Sequence, residues 1–434
     1  MPAPDTIFAL SSGRPPAAVA VLRISGPRAG EVATLLAGSP PFPRAASVRT
    51  LRDPASQDVL DRALTLFFPA PRSATGEDVL ELHLHGGRAV VARVLRVLAD
   101  LPGLRPAEPG EFTRRAHANG KLDLAEVEGL ADLVAAESEA QRRQALAQAS
   151  GALSRRVVAW RSRIVRALAF AEAGLDFADE GDVADDVAAG IAGEVTPLLA
   201  ELREVLADAA RGERVRDGVV MALAGPPNAG KSTLLNHLAG RDAAIVSPVP
   251  GTTRDVVEVH LELAGQAVTL LDTAGLRETI DPVETEGVRR ALARAEAADL
   301  VLWLSDTAEL PPPALSGAVC LLSKADLDVS PAPVGWLAIS VATGRGLPEL
   351  VARLEAAAGR WAGGEPALVT RERQRLALAA AASALANALA PHAGREELQA
   401  EELRLAAHAL DRLIGKVDVE DVLDSLFSTF CIGK

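Results

Sequence analysis

Residues 225–232 read GPPNAGKS, the spacing G-x-x-x-x-G-K-S, between an apolar run, VVMALAG, and a helical one, TLLNHLAG. A strand, a glycine loop and a helix start in that order surround a phosphate with backbone N–H groups. Asn228, Ala229, Gly230, Lys231, Ser232 and Thr233 then line a nucleotide site, in which Lys231 reaches the β/γ oxygens and Ser232 binds magnesium. Three further segments follow in the right order. PGTTRD, 250–255, is placed to offer a Thr hydroxyl to magnesium from a switch loop. DTAG, comprising Asp272, Thr273, Ala274 and Gly275, closes the apolar run AVTLLD; its carboxylate suits the magnesium shell and its Gly275 amide a γ-phosphate. SKAD, 323–326, follows AVCLL, and Asp326 can accept the ring N–H and the amino group of guanine. Any one of these is often a turn, but all four in order point to a nucleotide site with guanine preferred.

Three features depart from the usual pattern. Ser323 occupies the position normally held by Asn beside Lys324, so fewer hydrogen bonds are available and weaker nucleotide binding is expected, with guanine choice kept. Only eleven residues separate Asp306 from Ala318, three of them Pro311, Pro312 and Pro313, so the crossover helix expected there is missing or reduced to a loop. Leu276 follows DTAG where many small GTPases carry a water-orienting Gln; Glu284, in LRETIDPVETEG, is the catalytic candidate in its place. Asn228 is also placed to help hold a monovalent cation against the phosphates.

These motifs sit in a chain of 434 residues, long enough for two or three domains. Strand-like VAVLRI, ALTLFF and DVLELHLH accompany one helical stretch near Val90–Leu101, so residues 1–118 read as an α+β domain. Helical texture follows over 119–214, its second helix running to about 210, and RGERVRDG then leads into the strand VVMALAG. Residues 215–364 alternate strands and helices as an inserted α/β domain, and 365–434 return to helix. The Ala-rich stretch 376–390 reads as a buried helix, not a membrane span. The acidic segment 176–186 reads as a solvated connector in preference to a metal site. Net charge −13 and 3 % aromatics disfavour a protein that grips nucleic acid over its whole surface, and two cysteines fit a reducing cytoplasm. Of 45 basic residues only five are Lys: 121, 231, 324, 416 and 434.

The order GPPNAGKS, PGTTRD, DTAGLRET and a terminal FCIGK resembles the MnmE (TrmE) family of tRNA modification GTPases. VLRISGP, GEDVLELHLHGG and PGEFTRRAHANGKLDLAEVEGLADL extend the resemblance over nearly the whole chain. It implies an N-terminal dimerisation domain that binds 5-formyltetrahydrofolate, a helical domain built from both flanks, and an inserted Ras-like P-loop GTPase domain. Carried over by motif, the folate site takes Arg23, Glu81, Lys121 and Lys434; potassium takes Asn228, Ser247, Val249 and Thr252; magnesium takes Ser232 and Thr253; and Glu284 orients the hydrolytic water.

The function so implied is a potassium-activated, cytoplasmic, homodimeric GTPase. With a flavin-dependent MnmG-type partner, in a heterotetramer, it adds a (carboxymethyl)aminomethyl group at C5 of the tRNA wobble uridine. Two alternatives stand beside it: a ribosome-assembly or RNA-timing switch, and a folate-dependent transferase with a regulatory GTPase. Cys431 is read either as a buried structural thiol near Phe427 and Phe430 or as a group in the tRNA chemistry. His83 and His85, without a third ligand nearby, read as sheet packing or a wall of the folate pocket.

Overall fold

The computed structural model describes residues 5–176, 183–240, 258–272, 292–327, 331–390, 396–417, 420–428 and 430–433. The chain divides into two compact units, Met1–Ala131 with Ser154–Val158 and Ala407–Lys434, and Asp132–Leu153 with Ala159–Ala406. Both contain a six-stranded sheet with helices, a mixed α/β architecture.

In the first unit the strands are β1 (Thr6–Leu10), β2 (Val19–Ser25), β3 (Ser47–Arg52), β4 (Val59–Phe68), β5 (Val79–His85) and β6 (Leu104–Pro106). Their order is β3-β4-β5-β2-β1-β6. Alternation decides what each face carries. Ala20, Leu22 and Ile24 of β2 and Leu80, Leu82 and Leu84 of β5 are buried in one core with helices α1 (Ala29–Ala37) and α2 (Arg88–Asp100). The opposite face therefore receives Arg23 and Glu81, which the antiparallel register sets directly across from each other. Ala9 of β1 pairs with Arg23 and shares that face. Ile7, Ala9 and Ala107 pack there with Phe112 of helix α3 (Glu111–Ala118).

The C-terminal helix Glu420–Ser428 joins the start of helix α4 (Leu124–Ala135) through a cluster of Leu124, Val127, Leu426, Phe427 and Phe430. Its continuation runs onto the sheet unit: Ile432 bridges Pro109, and the Ser11 hydroxyl donates to the Gly433 carbonyl at 2.8 Å. Gly433 has φ +101°, and a Cβ there would lie 2.2 Å from the Leu10 carbonyl oxygen, so only glycine fits.

The second unit holds β7 (Val219–Ala224), β8 (Glu258–Leu263), β9 (Gln266–Asp272), β10 (Leu300–Ser305), β11 (Val319–Leu322) and β12 (Leu337–Ala338), ordered β12-β11-β10-β7-β9-β8. All neighbours are parallel except the β8–β9 hairpin. The parallel strands are near-continuous apolar runs because helices such as α8 (Lys231–Ala239) and Leu347–Ala362 cover them. Helices α5 (Glu139–Ala149), α7 (Val183–Asp217) and Glu372–Ala388, with most of α6 (Ala152–Asp176) and the part of Glu396–Leu413 up to Ala406, complete the unit.

The segment between Asp306 and Ala318 contains a single 3-10 turn, Pro313–Leu315, in place of a crossover helix, as its prolines require. All but the last two residues of the segment 376–390 lie in the helix Glu372–Ala388, with Leu378, Ala381 and Leu385 buried. Among the described residues no helix is long and apolar enough to cross a membrane. Residues 177–182 of the acidic segment lie outside the described residues. The helix expected to end at about 210 runs further, because α7 continues through Asp217 and takes in all of RGERVRDG but its final glycine. Gly212 does not break the helix; it permits close packing, since a Cβ there would fall 2.0 Å from the Val369 carbonyl oxygen.

Candidate functional site

The apolar strand β7 delivers the chain to Gly225, whose φ of +148° and approach to the Leu304 carbonyl leave no room for a side chain. Asn228 (φ +61°) and Gly230 (φ +95°) complete the left-handed turns of the loop, and α8 starts at Lys231. Its first-turn amides, including those of Ser232 and Thr233, have no intrahelical acceptor and are free for an anion. Ala229 is buried and anchors the loop from beneath.

Lys231 is 7 % exposed, and its Nζ donates to the carbonyls of Gly225 and Pro226, both at 2.9 Å. Burial pushes its pKa down from the ordinary lysine value, opposed by the nearby Asp272 carboxylate. The loop's own carbonyls thus hold a partly desolvated ammonium where the motif brings phosphate.

Register aligns Asp272 with Leu223 across β7 and β9, bringing the carboxylate to the foot of the loop. The Ser232 hydroxyl donates to Asp272 Oδ2 at 2.9 Å, while Asp272 Oδ1 is buried with no hydrogen-bond partner among the described residues. A hydroxyl oxygen beside a carboxylate with one bare oxygen is a donor set suited to a hard divalent cation, so these residues fit magnesium. Thr253, its other proposed ligand, lies outside the described residues, as do Ser247, Val249, Thr252, Thr273, Ala274, Gly275 and Glu284. Of the potassium set only Asn228 is described.

The SKAD loop follows β11 in the same sheet. Ser323 N–H donates to the Ser305 carbonyl at 3.0 Å, but its Oγ is buried without a partner among the described residues. Lys324 has φ +55°, and its Nζ pairs with Asp306 Oδ2 at 2.6 Å; that bond and the adjacent ammonium hold the Asp306 carboxyl below the usual aspartate range. Asp326 is also shifted down, first by a hydrogen bond from the Ser340 side chain. Arg345 Nη1 donates to the Ala325 carbonyl at 2.9 Å, and Ala325 N–H to that of Ile339 at 3.0 Å. Asp306, Ser340 and Arg345 were missed by sequence reasoning, although Ser340 directly ends the run WLAIS and Asp306 opens the shortened segment.

In the first unit Arg23 and Glu81 meet as register demands: Nε and Nη2 of Arg23 donate to Glu81 Oε1 at 3.1 and 2.9 Å. The guanidinium lies over the Phe112 ring, 5.8 Å from its centroid. This half-buried pair of opposite charges against an aromatic ring fits a planar heterocycle with paired donors and an acidic tail. Lys121 is exposed on the turn after α3, and Lys434 lies outside the described residues. His83 Nε2 is 3.4 Å from Glu81 Oε2, and His85 Nδ1 is 2.7 Å from Asp61 Oδ1; no metal-binding cluster occurs among the described residues. Cys431 is exposed, which corrects the reading of a buried thiol; Phe427 and Phe430 pack with each other instead, ring centroids 6.1 Å apart.

A glycine loop entering a helix at Lys231, a carboxylate at Asp272 beside it and the SKAD loop, all on one mostly parallel sheet, define a P-loop nucleotide-binding protein. A family model described as the MnmE helical domain matches residues 124–431, and one described as the GTP-binding protein TrmE N-terminus matches 6–121. The tRNA modification GTPase MnmE of Azorhizobium caulinodans is 65 % identical over 99 % of both chains. That of a Methylobacterium species is 56 % identical over 99 % of this chain and 100 % of its own. Among solved structures, the G domain of the T. maritima FeoB iron transporter matches 33 % of this chain and 99 % of its own at 26 % identity, with a TM-score of 0.26. The chain belongs to the MnmE family of tRNA modification GTPases.

Proposed function

We propose that this GTPase is potassium-activated and acts as a homodimer with a flavin-dependent MnmG-type partner in a cytoplasmic heterotetramer. Together they add a (carboxymethyl)aminomethyl group at C5 of the wobble uridine of certain tRNAs, with the one-carbon unit from 5-formyltetrahydrofolate. Residues 1–118 bind folate and dimerise, 215–364 form the inserted G domain, and 119–214 with 365–434 make the helical domain. The observation that carries the catalytic half is the cluster of Lys231, Ser232 and Asp272, with its buried, unpartnered carboxylate oxygen.

In this reading Lys231 exchanges its two loop carbonyls for phosphate oxygens, and the α8 amides orient the phosphates. Ser232 and Thr253 hold magnesium, which when bound supplies charge stabilisation to the phosphates. Asn228, Ser247, Val249 and Thr252 hold potassium. Glu284 orients the attacking water. Asp326, held by Ser340, reads guanine, with Lys324 held by Asp306 beside it. The folate half is supported by the Arg23–Glu81 pair and by the docking of Gly433 on β1, which brings the C-terminal segment to the strand next to Arg23. The exposed Cys431 is accessible for tRNA chemistry. GTP hydrolysis by the full chain in potassium and in sodium, with Glu284→Ala alongside, tests the mechanism. Faster turnover in potassium and an impaired variant are expected; equal rates in both salts with an unimpaired variant would overturn it.

A further inference from the structure

Helix α5 carries Gln141, Gln144 and Gln148 at spacings of three and four, hence along one face. Gln141 Nε2 donates to the Arg216 carbonyl at 3.0 Å and Gln144 Nε2 to that of Gly212 at 2.9 Å, both near the end of α7 where the chain enters the G domain. Gln148 Nε2 donates to the carbonyls of Ala367 at 3.3 Å and Leu368 at 2.6 Å, where the chain has just left it. One helix face thus grips both covalent connections of the inserted domain. Gln144 and Gln148 are 4 % and 2 % exposed, so these bonds are made away from solvent.

The start of the same helix touches the G domain's sheet. Ala140 N–H donates to the Gly265 carbonyl at 3.0 Å, at the tip of the β8–β9 hairpin, and Glu137 lies 3.7 Å from His260 Nδ1 on β8. In sequence that hairpin joins the segment carrying PGTTRD to the one carrying DTAG. A displacement of the hairpin is therefore delivered to α5, and α5 holds the two connectors.

We propose that Gln144 and Gln148 are positioning residues through which α5 couples the nucleotide state of the G domain to tRNA modification; this rests on the functional reading above. The chemistry of the grip suits a moving joint better than an apolar one. Gln148 shares its N–H groups between two successive carbonyls, so the returning connector can slip by one residue without stranding a buried donor. The Oε1 atoms of Gln144 and Gln148 have no hydrogen-bond partner among the described residues. Both side chains line a cavity of about 180 Å³ with Asp132, Gln141, Arg216 and Thr370, which gives the connectors space to shift into.

The test uses the full chain with Gln144→Leu and Gln148→Leu combined, and the near-isosteric single variants Gln144→Glu and Gln148→Glu, which remove the donor with little change of volume. GTP hydrolysis in potassium should stay within about twofold of the parent, while wobble-uridine modification in complemented cells falls about tenfold or more. Amide hydrogen exchange at residues 212–218 and 366–371 should quicken in the same variants. Modification retained with normal hydrolysis would overturn the proposal, and so would hydrolysis and modification falling in parallel, which marks a merely structural role. If the parent chain itself does not modify wobble uridine, it is the functional reading that fails.

Discussion

Replacing Lys231 with Arg retains the charge and changes only its shape, which makes it a sharp test of the phosphate loop. The lysine is 7 % exposed, and its Nζ sits 2.9 Å from both the Gly225 and Pro226 carbonyl oxygens. Such a seat accepts a compact three-donor ammonium; a planar guanidinium is wider and cannot occupy the same point between the carbonyls and an incoming phosphate. Gly225 has no room to yield, because even a Cβ there would fall 2.0 Å from the Leu304 carbonyl oxygen. Taking one preorganised donor out of position at a transition state costs about 2.7–4 kcal/mol, so turnover should fall about 100- to 1,000-fold. Phosphate release at saturating GTP in potassium measures it, with a fluorescent GDP analogue confirming that the site is still loaded. Turnover within about threefold of the parent would refute the argument that the site requires a point charge.

Three further outcomes follow from particular contacts. Gly433→Ala places a Cβ 2.2 Å from the Leu10 carbonyl oxygen at φ +101° and must displace the C-terminal segment; binding of labelled 5-formyltetrahydrofolate should weaken about tenfold or more with GTP hydrolysis unchanged, and undiminished binding would count against the folate site. Ser323→Asn supplies both a donor and an acceptor where a buried hydroxyl has no partner; guanine-nucleotide affinity should rise about fivefold, measured by titration, and a loss of affinity would contradict it. The Asp306 carboxyl has a folded-state pKa below its unfolded value. Its pairing with Lys324 therefore contributes fully above the unfolded value of about 3.9 and is lost as pH falls through the lowered folded value. Urea unfolding of the parent and Asp306→Asn should differ by a constant amount from pH 5 to 8 and converge in more acidic buffer; a difference that changes between pH 6 and 8 would exclude this pair as its source.

What was legible in the chain were the contacts between residues close in sequence. GPPNAGKS specifies its own loop because the glycines, the helix start and the lysine all lie within eight residues, and the three prolines after Leu310 forbid a helix by local geometry alone. β4 and β5 were visible through their apolar runs, whereas β1, β3 and β6 were not, being short strands defined by their neighbours. The Arg23–Glu81 pair was reached by resemblance; its physical basis is a register between strands 58 residues apart, which spacing cannot reveal. Asp306, Ser340 and Arg345 entered only with the sheet that brings three strand ends together. The glutamines of α5 are unremarkable in sequence, because their acceptors are backbone carbonyls 68 to 220 residues away.

GTP hydrolysis at Lys231 and Asp272 is expected to drive modification of the wobble uridine. Mass analysis of tRNA nucleosides from cells lacking this chain, complemented with the parent or with Lys231→Arg, tests it most directly. The parent should restore the (carboxymethyl)aminomethyl uridine and the variant should leave it unmodified at that position. Restoration by both, or nucleosides unchanged by loss of the chain, would contradict the account.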